Sequence, residues 1–248
     1  MFVTASTECF PELSLSDALQ RLVDLEFTSV EIAISETGPG LKPSEVLADP
    51  DKAVAICRDT HRLTPAAYAV DLAPGDNYYK QFAACCRLAK ATKVVTIAVP
   101  GAELGTPFNA EIERLQELVK IAAGDGVLVG VTTQVGRITQ DPETAVVLCN
   151  NVKGLGITLD PSHFICGPHK GNSYDQVFKH VYHTHLRDTR KDKFQVRVGQ
   201  GEIEYGRLIT QLSMVHYNRA LSVHIAPMPE VDHIGEMRKM RLLLESLL

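Results

Sequence analysis

Short apolar runs rich in β-branched residues alternate with longer stretches of three- and four-residue periodicity from one end of the chain to the other. The runs at 2–4, 29–34, 65–70, 93–99, 127–133, 156–160, 181–187 and 220–226 have strand character. Between them, helical patterns cover 16–25, 43–61, 81–91, 109–123, 142–150, 174–178, 205–216 and 234–247. Start signals agree with this division. Ser14-Leu15-Ser16-Asp17 and Asp141-Pro142-Glu143 each set capping residues ahead of a helix, the second with proline just inside it. In the last pattern, Met237, Met240, Leu243, Leu244 and Leu247 form an apolar face suited to docking on a sheet. Eight βα units without an intervening linker imply a parallel sheet closed on itself. The expected fold is a single (β/α)8 TIM barrel spanning residues 1–248.

In such a barrel the residues that follow the strands share one mouth, and chemistry collects there. By that rule Glu8, Gln134, Asp160, His185 and His224 lead to the mouth, and Glu31 lies within the second strand. Asp160 sits where a strand must stop, because Pro161 cannot donate to a ladder. His183 and His185 fall on one side of their strand by its period of two. A carboxylate and imidazoles on neighbouring strand ends are donors for a divalent ion of the Zn, Mn, Fe or Co type. Glu31 and His224 interrupt apolar patterns, which is costly unless they are paired or used. Glu31 reads equally as a buried acid held by a basic neighbour or as a catalytic group, and His224 as a satisfied core histidine or, favoured by its place on the barrel axis, a metal ligand. His163, three residues beyond Asp160, is placed to touch substrate. Arg187, Arg190, Lys191, Lys193 and Arg197 against Asp188 and Asp192 leave a local charge of 5 − 2 = +3. That cluster is either a site for a phosphate or carboxylate or a solvated loop.

Composition narrows the classes. The chain has 248 residues, 45% of them hydrophobic, enough for a large core. Its net charge of −5, from 25 basic and 30 acidic residues, argues against nucleic acid and against an anionic membrane surface. No apolar run approaches the ~20 residues of a membrane span, and Met1-Phe2-Val3-Thr4 opens no targeting signal. Six cysteines without a CxxC pair fit a reduced, cytoplasmic compartment. A Gly-x-Ser-x-Gly elbow, a phosphate loop, HExxH and a dinucleotide fingerprint are all absent from the sequence. Cys166, close to His163, is a weak candidate nucleophile.

The runs 154–163 and 182–188 and the segment Val198-Gly199-Gln200-Gly201-Glu202-Ile203-Glu204-Tyr205 resemble the xylose-isomerase-like TIM-barrel superfamily of sugar phosphate isomerases and epimerases, which also includes endonuclease IV. The resemblance implies a divalent metal (Mn, Zn, Co, Fe or Mg) held by Gln134, Asp160, His185 and His224. In the family the first and last of these are Glu and also shuttle the proton. It implies His163 at the substrate, with Arg190, Lys191 or Arg197 as basic substrate contacts, and His163, His183 and Glu31 remain as candidate bases. The expected substrate is a small sugar or keto-sugar, handled by isomerisation, epimerisation or elimination beside a carbonyl. With Asp160 as the one sure anion, the metal site would be about one unit positive and would favour lyase or hydrolytic steps. A catalytically silent sugar-binding barrel and an endonuclease-like phosphodiesterase are the alternatives, and a homo-oligomer is left open.

Overall fold

The computed structural model describes residues 1–248. Eight parallel strands pair in chain order: β1 Phe2–Ser6, β2 Ser29–Ser35, β3 Thr64–Asp71, β4 Thr96–Pro100, β5 Leu128–Thr132, β6 Leu155–Leu159, β7 Val181–Leu186 and β8 Ala220–Val223. Pairing of β8 with β1 closes the barrel. Helices α1 Leu15–Asp24, α2 Pro43–Ala48, α3 Pro50–Arg58, α4 Tyr78–Thr92, α5 Phe108–Gly124, α6 Pro142–Asn151, α7 Ser162–Ile165, α8 Tyr205–Met214 and α9 His233–Glu245 fill the connections. The chain is thus the single (β/α)8 barrel that its pattern predicts. No helix is long and apolar enough to cross a membrane, and all six cysteines are free thiols.

Departures from the predicted elements have local causes. The pattern at 43–61 divides into α2 and α3 because Asp49 leaves the helix before Pro50 and caps α3, accepting from the Lys52 N–H at 3.0 Å. The fourth strand begins at Thr96 rather than Lys93, which ends α4 in a left-handed conformation with φ 64°. The eighth ends at Val223, although the His224 N–H still donates to Leu186 O at 2.9 Å. A 3₁₀ turn, Asp175–His180, replaces the helix at 174–178. Another 3₁₀ turn, Thr7–Cys9, and the four-residue α7 form in stretches without helical periodicity.

Two faces of the sheet have different fillings. Val30, Ile32 and Ile34 of β2 point outward into the hydrophobic core shared with Leu19 and Leu22 of α1. The strand register puts the opposite set inward: Ser6 beside Glu31, Glu31 beside Ala67, Ala69 beside Ala98, Ala98 beside Gly130, Gly130 beside Gly156, Thr158 beside His183, and His185 beside Ser222. A barrel interior is usually packed with bulky branched residues. Here small residues on β3 to β6 leave space that polar side chains from β1, β2, β7 and β8 occupy.

Gly156 is needed at one such place. The β6–β7 register skips Tyr182, since Ile157 pairs with Val181 and Thr158 with His183, and a Cβ on Gly156 would overlap the Tyr182 ring. Gly156→Ala should lower stability by about 1–3 kcal/mol, the usual cost of overpacking. In Gly124→Ala, where an added Cβ meets nothing within 4 Å, stability should hold or rise; urea unfolding of both variants measures the difference.

Candidate functional site

Asp160 follows β6 and is 1% exposed. Its backbone is fixed by Thr133, whose Oγ1 accepts from the Asp160 N–H (2.8 Å) and donates to its carbonyl (3.2 Å). Oδ1 of the side chain takes the N–H of Ser162 at 3.0 Å and the Ser162 hydroxyl. Oδ2 lies 2.9 Å from Nη2 of Arg187, a charge contact without hydrogen-bond alignment, since Oδ2 has no hydrogen-bond partner. Burial alone would raise the Asp160 pKa. The adjacent Arg187 charge, with help from His163 and Ser162, brings it down to about 2.

From Arg187 a polar chain crosses the mouth. Its Nη2 donates to His224 Nδ1 at 2.6 Å. Arginine can only donate, so His224 Nδ1 is the bare nitrogen and Nε2 carries the proton. That Nε2 donates in turn to Glu8 Oε2 at 2.6 Å. Burial lowers the His224 pKa, with the His185 and Arg187 charges adding to the effect. The hydrogen bond from His224 outweighs burial and lowers that of Glu8, so Glu8 is a carboxylate at neutral pH, about half exposed. The His224 ring stacks on His185 at 4.4 Å between centroids.

Beneath this layer, His183 Nε2 and His185 Nε2 both converge on Glu31 Oε2, the second at 2.9 Å. Glu31 is fully buried and His183 is 1% exposed. Burial would raise the Glu31 pKa, yet the two imidazoles hold it well below its usual value. The three donor atoms lie within 4.8 Å of one another, close enough to share a cation.

The loop after β7 completes the mouth. Asp188 Oδ2 accepts from the Gly199 and Gly201 N–H groups at 2.8 and 2.9 Å, and Oδ1 accepts from the Thr189 N–H at 3.2 Å. Gly199 adopts φ 87°, and a Cβ on Gly201 would collide with Asp188. The loop so anchored lays Phe194 against His163 (4.6 Å) and under the Arg187 guanidinium (4.8 Å).

The cavity these groups enclose has a volume of about 330 Å³ and is lined by Glu8, Asp71, Gln134, Asp160, His163, His185, Arg187, Phe194 and His224, among others. A larger groove of about 740 Å³ beside Phe164, Tyr174 and Arg207 also carries charged residues, among them Asp175, Lys191, Glu202 and Glu204, but it holds no histidine and none of the residues at the strand-end mouth. All four residues that the sequence suggests as metal ligands therefore face one cavity. Arg190, Lys191 and Arg197 do not line it; Arg190 Nε instead donates to Gln200 O at 2.7 Å. Glu31 and His183 lie below the cavity wall, and His163 uses Nδ1 to accept the Val135 N–H at 3.0 Å. Arg187 and Glu8 are central, though the sequence reading gives them no individual role. Their signal was position alone: one follows β7 by a single residue, the other lies two residues past β1.

The donors at the mouth do not fit a divalent cation. Both His224 nitrogens are engaged, Asp160 Oδ1 is taken by Ser162, and His185 Nε2 points to Glu31. Gln134 is neutral, and the remaining oxygen, Asp160 Oδ2, already has a guanidinium 2.9 Å away.

His163 makes this site sensitive to acid. Burial pushes its pKa down to about 4 from 6.5, against the pull of Asp160. Between those values the unfolded chain binds a proton that the folded chain refuses, so stability is complete above pH 6.5 and falls as pH drops toward 4. The loss should be on the order of 2–3 kcal/mol. Urea unfolding across this range should show that loss in the wild type and a flatter profile in His163→Gln. Asp160 adds a second loss, below 3.8 and toward about 2.

Similar barrels are known. One is the 3-keto-D-glucoside 4-epimerase YcjR from E. coli, 14% identical over 99% of each chain with a TM-score of 0.75. Another is an L-ribulose 3-epimerase, 14% identical over 100% of this chain and 96% of that one, TM-score 0.75. A third is the IOLI protein with a zinc atom bound, 17% identical over 100% and 98%, TM-score 0.73. At such identities the likeness is one of fold. No curated protein matches the chain. The model of the xylose isomerase-like TIM barrel family matches residues 19–241, which take in β2 to β8 and every mouth residue described above except Glu8, and the chain belongs to that family.

Proposed function

We propose that this barrel is an enzyme that moves a proton beside the carbonyl of a small sugar or keto-sugar. The observation that supports it is the polar chain Glu8, His224, Arg187, Asp160, drawn across a cavity of about 330 Å³. An accessible carboxylate and a buried cation face the same small space, as enolisation requires. In this reading Glu8 accepts the proton from the carbon next to the carbonyl. The C–H electron pair forms the carbon–carbon double bond of an enediolate, and the carbonyl electrons move onto its oxygen. Arg187 faces that oxygen with its positive charge. His224 positions Glu8 and keeps it ionised, and its second nitrogen ties that carboxylate to the same guanidinium. Return of the proton to either face or to the neighbouring carbon gives epimer or isomer, whereas departure of a β-hydroxide, protonated as it leaves, gives elimination.

Likeness to sugar epimerases favours this substrate class, as does a cavity wall that offers hydrogen bonds from Gln134, Asp71 and His163. A barrel that only binds sugars is the competing reading, favoured by Gln134 and His224 standing where the family has glutamates. Incubation with ketoses and keto-glycosides in deuterated water separates the two. The wild type should place deuterium on carbon, and Glu8→Gln should slow exchange by about 10²–10⁴-fold, the scale of a general base. Binding without exchange would mean a sugar-binding barrel.

A further inference from the structure

We propose that the guanidinium of Arg187 holds the position of the divalent cation in this barrel mouth, so that the positive charge facing the substrate oxygen belongs to the chain itself. The inference rests on the reading of the mouth as the substrate cavity, and it adds the nature of the electrophile.

Three observations lead to it. First, Arg187 lies among the residues suggested as metal ligands: Nη2 is 2.9 Å from Asp160 Oδ2 and 2.6 Å from His224 Nδ1. A metal bound by those two atoms would have to share the guanidinium's space. Second, the set has changed in the way a monovalent cation requires. Gln134 is neutral and His224 is neutral at Nδ1, so among the four suggested ligands the single buried carboxylate, Asp160, meets one buried guanidinium and these two charges cancel. With glutamates at 134 and 224 the mouth would hold two further negative charges, which suit a dication. Third, the guanidinium is held in place yet incompletely used. Phe194 lies under it at 4.8 Å, and it is 8% exposed. Only Nη2 is hydrogen-bonded within the chain; Nε is buried without a partner, as is Asp160 Oδ2. Unpartnered buried polar atoms are costly, and two of them on an ion pair that lines the cavity point to a ligand carrying both an acceptor and a hydroxyl. An enediolate has that composition.

Manganese tests the proposal in the wild-type chain without turnover. Any broadening of the His185 and His224 ring-proton resonances by one equivalent of Mn²⁺ in chelator-treated protein should be the same in Asp160→Asn as in the wild type, because a cation among Glu31, His183 and His185 does not use Asp160. Broadening at stoichiometric Mn²⁺, lost in Asp160→Asn, would overturn the proposal. A second arm converts the site: Gln134→Glu with His224→Glu should gain Mn²⁺ affinity, and adding Arg187→Met should raise it further, on the order of a hundredfold, because a close positive charge is removed. Equal affinity with and without Arg187 would count against it. The deuterium exchange described above, repeated with a chelator, tells the two readings apart. Exchange that persists supports both. Exchange lost with the chelator and restored by Mn²⁺ overturns the built-in cation and leaves the enzyme reading standing. If no sugar exchanges at all, the enzyme reading fails, and the line widths still decide whether Arg187 excludes the metal.

Discussion

A carboxylate and a guanidinium lie 2.9 Å apart at the mouth of the barrel, with 1% and 10% of their side chains exposed. Withdrawing two such charges from water costs several kcal/mol each, and their attraction offsets this only when the remaining polar atoms are also satisfied. Much of the local structure can be understood as that compensation. Thr133 and Ser162 fix Asp160 from two sides. His224 accepts from Arg187, and Glu8 fixes His224 in the tautomer able to do so. Asp188 gathers the loop that presses Phe194 onto the guanidinium. Removing either partner would leave an unpaired buried charge, so the members of this group are energetically coupled.

The same logic applies one layer down with a different outcome. Glu31 is an anion in the barrel interior with two imidazoles on one oxygen and no partner on the other. It orients His185, which in turn stacks beneath His224. The two layers are therefore joined through a ring face rather than through a hydrogen bond. His185 is thus held by an acid on one side and by the His224 ring on its face, and it lines the cavity in that fixed orientation.

The barrel could be read from the sequence because its strands are buried on one face by helices and are spaced evenly, so periodicity alone marks them. The candidate residues at strand ends were legible for the same reason: position in a parallel barrel determines which face they reach. What could not be read was the partner of each residue. Glu31, with basic residues far away in sequence, gave no sign that His183 and His185 would be its neighbours, separated from it by 152 and 154 residues. Arg187 looked like the first of five basic residues in a charged loop, and nothing in its spacing distinguished the one that turns inward from Arg190, Lys191, Lys193 and Arg197. Glu8 lies on a single 3₁₀ turn, too short to leave a periodic signature. A hydrogen bond that uses up a histidine nitrogen is likewise invisible until the fold is in hand, which is why His224 reads from sequence as a ligand and in the structure as a link between two charges.

The small residues that line one arc of the interior give the mouth a sidedness. Ala69, Ala98 and Pro100 form part of the wall contributed by β3 and β4, facing Asp160, His185, Arg187 and His224. One side of the cavity thus carries charge and directed hydrogen bonds, and this part of the other offers mainly shape. A molecule in that space meets most of the charge along one edge, and between Asp71 and Gln134 its far edge is sorted by fit. Changes at Ala69 and Ala98 can therefore alter which substituents are admitted without touching the polar chain of Glu8, His224, Arg187 and Asp160, so the width of the cavity and its charge can vary independently.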